Sequence, residues 1–175
     1  MLKIFSRLLK AHDGVAAVEF AFIAPVLIVM FFGAIELSAA VTCNTRVVAV
    51  ASTAADLVAQ ETTVSSADMS NVFAALNAII YPYPSAPAKI VITSIVYKTS
   101  TTGTVAWSDQ QNTTARAVGS TVTVPTGLLT SGGSVILAEI SYAYASPTTQ
   151  VLTGAVTMTS SFYAKPRRSL TVVHT

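Results

Sequence analysis

Few side chains in this sequence have the type and spacing to do chemistry together. The acids Asp56, Glu61, Asp68, Asp109 and Glu139 are scattered, and the histidines, His12 and His174, lie near opposite ends. Cys43 is the single cysteine, so no intrachain disulfide can form and no zinc constellation can be built on it. No Ser/His/Asp set, carboxylate pair, phosphate loop or metal cluster emerges from the spacing. The sequence therefore predicts no enzyme, no catalytic or metal-binding residue, no cofactor and no small-molecule substrate. One local group stands apart: Gly14-Val15-Ala16-Ala17-Val18-Glu19-Phe20. A glycine is followed at the fifth position by an acid and at the sixth by an aromatic. Lacking Cβ, glycine interrupts a helix. Glu19 lies about 6 Å beyond Val15 along a helix, where an acid favours the positive end.

The element that must carry this group is apolar. Charged residues make up 10% of the 175-residue chain, against about 25% in ordinary soluble domains, so part of it is built for a medium other than water. From Val15 to Cys43 only Glu19 and Glu36 carry charge. The uncharged run Phe20 to Ile35 gives about 24 Å of helix, and flanking turns extend this to the ~30 Å of a bilayer core. Such a helix satisfies its own backbone, as lipid requires. Pro25 removes one donor inside it, which a membrane helix tolerates. Lys3, Arg7 and Lys10 precede the run, opposed by Asp13, and after it Arg46 is the only basic residue before Lys89. The excess of positive charge predicts a cytoplasmic N-terminus, with the remainder outside. Glu36, about 32 Å from Val15, is expected at the far interface as a solvated carboxylate.

A cleaved secretory signal fits less well, because the apolar stretch exceeds the usual ~7–15 residues and Glu36 sits beside the small residues Ser38-Ala39-Ala40. An uncleaved anchor remains open. The group around Gly14 resembles the processing site of type IV pilin precursors. From Gly14 through Phe20 to Ala21-Phe22-Ile23-Ala24-Pro25, and on to Gly33-Ala34-Ile35-Glu36, it resembles the TadE-like minor pilins and pseudopilins of the Tad/Flp (type IVb) pilus system. That resemblance implies cleavage between Gly14 and Val15 by a prepilin peptidase, with Glu19 and Phe20 as assembly residues. It implies other Tad/Flp pilins, inner-membrane platform proteins and membrane lipid as partners. It also implies an inner-membrane protein with a periplasmic C-terminal domain, able to enter an extracellular pilus. The major Flp pilin is little more than signal and helix, so the body here points to a minor subunit. The alternative is an uncleaved, single-pass periplasmic binding module or adhesin.

The remaining chain reads as α+β. Residues 1–14 form the leader, 15–42 the spanning helix, and 43–175 a periplasmic domain. That domain is helical over 43–81, β-rich over 88–164 and basic over 165–175. Val47, Val48, Ala51, Ala54, Ala55 and Val58 recur at helical spacing, so the first helix should continue beyond the membrane. A second helix over Ser65 to Ile80 starts with cap residues and buries Met69, Val72, Phe73, Leu76, Ile79 and Ile80. Pro82, Pro84 and Pro87 end it. Strands follow at Lys89–Lys98, Thr121–Val124, Ile136–Tyr144 and Val156–Tyr163, in a mainly antiparallel sheet with a hairpin loop at residues 99–103 and a turn at Ser131-Gly132-Gly133. Trp107 is expected as partly buried core. Lys165-Pro166-Arg167-Arg168 is either a solvated terminal cluster or a dock for a partner or lipid headgroups. Cys43 reads as a small apolar residue, with an intermolecular disulfide the minority option. Basic residues form no stripe with interleaved aromatics, which argues against nucleic acid as a partner.

Overall fold

The computed structural model describes residues 14–148 and 151–175. The basic residues Lys3, Arg7 and Lys10, on which the orientation argument rests, lie outside the described residues. The first element, α1, spans Val15–Ala59 and is 45 residues long. It runs through Pro25 without interruption. At about 1.5 Å per residue it is some 67 Å from end to end, far longer than a bilayer core is thick. Its two halves differ in what surrounds them. Large apolar side chains from Val15 to Phe31 stand exposed, as do Ile35, Leu37 and Val41, whereas Val47, Val50, Ala51, Ala54, Ala55, Val58 and Ala59 are fully buried. The helix therefore does continue past the apolar run and packs on the body. Within that half Val50 takes the buried position and Val48 stays exposed.

After the short strand β1 (Thr63–Val64) comes α2 (Ser66–Ile80). Ser65 caps it through a reciprocal pair: its hydroxyl accepts from the Asp68 backbone N–H while the Asp68 carboxylate accepts from the Ser65 N–H at 2.9 Å. The Ser65 hydroxyl, which also donates to the carboxylate at 2.7 Å, and then the Ser65 backbone N–H hold the Asp68 carboxyl below its usual pKa. Met69, Leu76 and Ile80 are buried, with Val72, Phe73 and Ile79 packed at the margin of the same core. At the far end of α2 the Arg46 guanidinium donates to the Ile79 carbonyl at 3.0 Å. A cation there complements the negative end of the helix.

The main sheet has five antiparallel strands in the order β4-β3-β2-β5-β6. These are β2 (Ala88–Tyr97), β3 (Thr102–Gln111), β4 (Thr121–Thr123), β5 (Ser134–Tyr144) and β6 (Val156–Ala164). One face carries Ile90, Ile92, Trp107, Ile136, Ala138, Ile140, Tyr142 and Met158 into a core shared with α1 and α2. The other face contributes Ile95, Val105, Val135 and Leu137, covered by Val122, Val124 and Leu129 from the segment between β3 and β5. β3 feeds both cores because of a bulge. Trp107 lies opposite Ser94 and Val105 opposite Ile95, so Ala106 is an extra residue. A one-residue slip turns side chains to the opposite face. After β3, Asn112 takes a left-handed conformation (φ 57°) that Asn tolerates better than most residues. Its side-chain amide donates to the Ala88 carbonyl at 2.9 Å, tying β3 to the start of β2.

The basic C-terminal segment is strapped down. Arg167 forms an ion pair with Asp56 of α1, and its backbone N–H donates to the Ala59 carbonyl at 2.9 Å. Ser134 N–H donates to Leu170 at 3.0 Å, and the buried Trp107 indole donates to the Val172 carbonyl at 2.8 Å. The last strand, β7 (Val173–His174), pairs in parallel with β1. His174 meets Asp109 at 2.9 Å. Trp107 is thus core, as its lone occurrence near a strand suggested.

Gly103 is held by close approach rather than by its φ angle. A Cβ there would lie 2.3 Å from Ile95 Cγ2 and 2.7 Å from the Val96 carbonyl oxygen, and backbone cannot swing aside. Gly103→Ala should destabilise the body by about 1–3 kcal/mol, the usual cost of overpacking. Denaturant unfolding followed by Trp107 fluorescence checks this. An unchanged midpoint would contradict the packing described.

Candidate functional site

The candidate site is the bare half of α1 and the junction where the body begins to cover it. Gly14 immediately precedes the helix, is exposed and has open space around it. Val15 is the first helical residue, and Phe20 is among the exposed large apolar side chains. Glu19 is exposed as well. Val15 and Glu19 are one turn apart on one face of the helix, about 6 Å by rise. From Phe20 to Ile35 there is no charged residue and no buried one. An 18-residue window of α1 reaches a mean hydropathy of 2.5, none of it covered by the body. The helix is long and apolar enough to cross a membrane.

Glu36 departs from expectation. It is not a solvated carboxylate at the interface: it is 1% exposed, the first buried residue of α1. Thr148, Val151 and Leu152, described residues of the connection between β5 and β6, fold against it. The Leu152 and Val151 backbone N–H groups donate to Oε2 at 2.7 and 3.1 Å, and the Thr148 hydroxyl donates to Oε1. Charge-assisted bonds of this kind make a carboxylate tolerable out of water. Helical rise puts Glu36 about 26 Å from Glu19, so the two acids of the helix act at separate places.

Above Glu36 the junction is built from aromatic side chains. Tyr83 donates its hydroxyl to the Ala39 carbonyl at 2.9 Å and meets Tyr144 edge to face at 6.0 Å. Tyr142 donates to the Pro84 carbonyl at 3.0 Å. Cys43 is fully buried beneath this cluster, in keeping with its reading as a small apolar residue. On the outside, Phe31, Ala34, Ile35, Ser38, Thr42 and Tyr83 line an open, mainly apolar groove of about 470 Å³. On the outer sheet face, a shallow trough of about 480 Å³ with a mixed polar and apolar lining runs past Lys89, Val91, Glu139 and Ser161, with Glu139 held by Arg116 at 2.8 Å. Among the described residues, no group of three His, Cys, Asp or Glu side chains could hold a metal ion.

A long N-terminal helix, bare in its first half and packed in its second on an antiparallel sheet, defines an α+β protein whose first helix is long and apolar enough to cross a membrane. The family model of the TadE-like proteins matches residues 14–56, from the glycine before α1 to the aspartate that pairs with Arg167, and this segment is similar to that family. That family is Tad pilus-associated and pilin-like. No curated protein and no solved structure matches the chain.

Burial of the junction has a measurable signature. Loss of solvent pushes the Tyr142 hydroxyl up to about 12, with smaller contributions from Cys43, Tyr83 and Tyr144, and burial also raises Tyr83. In the unfolded chain tyrosine ionises near 10. Between about pH 10 and 12 the folded state therefore holds a proton that the unfolded state has lost, so stability falls as pH rises through that window. Phenolate absorbance should show Tyr142 ionising late among the six tyrosines, and Tyr142→Phe should remove that late step. A titration complete by pH 10.5 would contradict the burial.

Proposed function

We propose that this chain is a minor pilin- or pseudopilin-like subunit of Tad/Flp pilus assembly, matured by a prepilin peptidase that cuts between Gly14 and Val15. The observation that carries the proposal is the bare helix itself: its large apolar side chains from Val15 to Phe31 stand exposed. The motif Gly14…Glu19-Phe20 stands at its free end. A helix of this kind is stable in lipid, and equally stable among like helices in a filament. Glu19 supplies the direction of exchange. A carboxylate at the bilayer centre costs about 2.5–3.5 kcal/mol, and a carboxylate near the edge less. A neighbour's Val15 ammonium would offset that cost and guide the subunit laterally out of the membrane. Phe20 adds an apolar contact beside the pair. In this reading the N-terminus faces the cytoplasm, the body lies in the periplasm, and the partners are other Tad/Flp pilins and platform proteins. The size of the body argues for a minor role.

Intact-mass analysis of protein from native membranes tests the cleavage. The mature chain should lack residues 1–14, and Gly14→Val should retain them. Glu19→Gln should still be cut, but its incorporation into pili should fall by about tenfold or more, equivalent to roughly 1.4 kcal/mol. A functional wild-type protein that keeps Met1 would overturn the proposal and leave an uncleaved, anchored binding module.

A further inference from the structure

Glu36 lies about 32 Å from Val15 along α1, close to the ~30 Å thickness of a bilayer core. At that level the β5–β6 connection crosses the helix. Its backbone donors Val151 and Leu152 hold the buried carboxylate. The Val151 side chain reaches further down: a Cβ placed on Gly33 would be 3.7 Å from Val151 Cγ2, ordinary contact distance. Val151 nevertheless remains 45% exposed. The chain carries no charged residue between Glu139 and Lys165, so no formal charge in this connection opposes close approach to a bilayer.

We propose that Glu36 is a positioning residue. It holds the β5–β6 connection against α1 so that Val151 rests on the surface of the phospholipid bilayer and the body is stopped at a fixed depth. The proposal rests on the membrane reading of α1 and not on cleavage at Gly14. Three observations point to lipid as the occupant. Val151 meets α1 at Gly33, one turn above the bare side chains of Val29 and Met30 on the same side of the helix. The segment bearing it is uncharged. Its distance from Val15 matches one bilayer core. The carboxylate suits the role because the connection engages both of its oxygens, the Val151 and Leu152 N–H groups at Oε2 and the Thr148 hydroxyl at Oε1, which fixes the connection to one helical turn. An amide could accept through only one oxygen.

The test uses the full chain in phosphatidylcholine/phosphatidylglycerol vesicles at low protein density, with Cys43→Ala to leave one labelling site. A nitroxide on Val151→Cys should be accessible to dissolved oxygen and shielded from a water-soluble nickel chelate. The same label on Val118→Cys, 71% exposed on the body in the native chain, should show the reverse. Glu36→Ala should raise nickel accessibility at residue 151 several-fold while leaving Trp107 emission unchanged. Should Glu36→Ala disturb Trp107, Glu36→Gln and Thr148→Val replace it, each expected to shift accessibility in the same direction by less. The proposal is overturned by a residue-151 label as nickel-accessible as residue 118, by accessibility unmoved in the Glu36 and Thr148 variants, or by spin–spin broadening that shows a second copy at that surface. None of these outcomes depends on whether the leader is removed.

Discussion

An α-helix whose side chains face nothing of its own protein must be solvated by something else, and in α1 that something cannot be water. Fully burying one large aliphatic or aromatic side chain is worth about 1.5–3 kcal/mol. Phe20, Phe22, Ile23, Leu27, Ile28, Met30 and Phe31 are each more than half exposed in the isolated chain. An aqueous helix of this composition would collapse on itself or aggregate. Lipid removes the penalty, and so does a bundle of similar helices. The rest of the molecule is arranged around that requirement. The body leaves the first half of the helix uncovered and spends its own packing on the second.

The transition between the two regimes is sharp and takes place within about two turns. Below it the helix surface is apolar on every side. Above it small residues, Ala51, Ala54 and Ala55, let the helix press closely on the sheet, and Cys43 and Val47 begin the core. Glu36 lies at the changeover. A carboxylate is a poor choice for simple packing, since it must be hydrogen-bonded wherever it is removed from water. It suits a clamp, because it can hold backbone groups that carry no side-chain identity. The C-terminal strap serves the opposite end of the helix, where Arg167 reaches Asp56 and Ala59. Held at both ends of its covered half, α1 and the body form one unit.

Much of this was legible in the sequence because it follows from period and composition. The length of α1, the capping box at Ser65 and the strands at 89–98 and 136–144 are written as hydrophobic spacing and as a single well-placed Ser/Asp pair. β3 was not. Its residues Thr102–Gln111 include Gly, Ser, Asp and two Gln, all poor strand formers, and the bulge at Ala106 breaks the alternation that would have marked it. β1 and β7 were missed because two residues carry no period. The Glu36 clamp was misread for a different reason. Its position in the helix was plain, but most of its named donors are backbone N–H groups more than a hundred residues away, which have no sequence signature. The Gly14–Phe20 group was visible from the start, since its elements are contiguous.

The central claim is that α1 changes solvent near Glu36. Photolabelling in bilayers with a lipid-soluble diazirine, read by peptide mass mapping, tests it most directly. The account predicts label between Phe20 and Ile35 and none between Val47 and Val58. Equal labelling of both stretches, or label absent from the first, would contradict it.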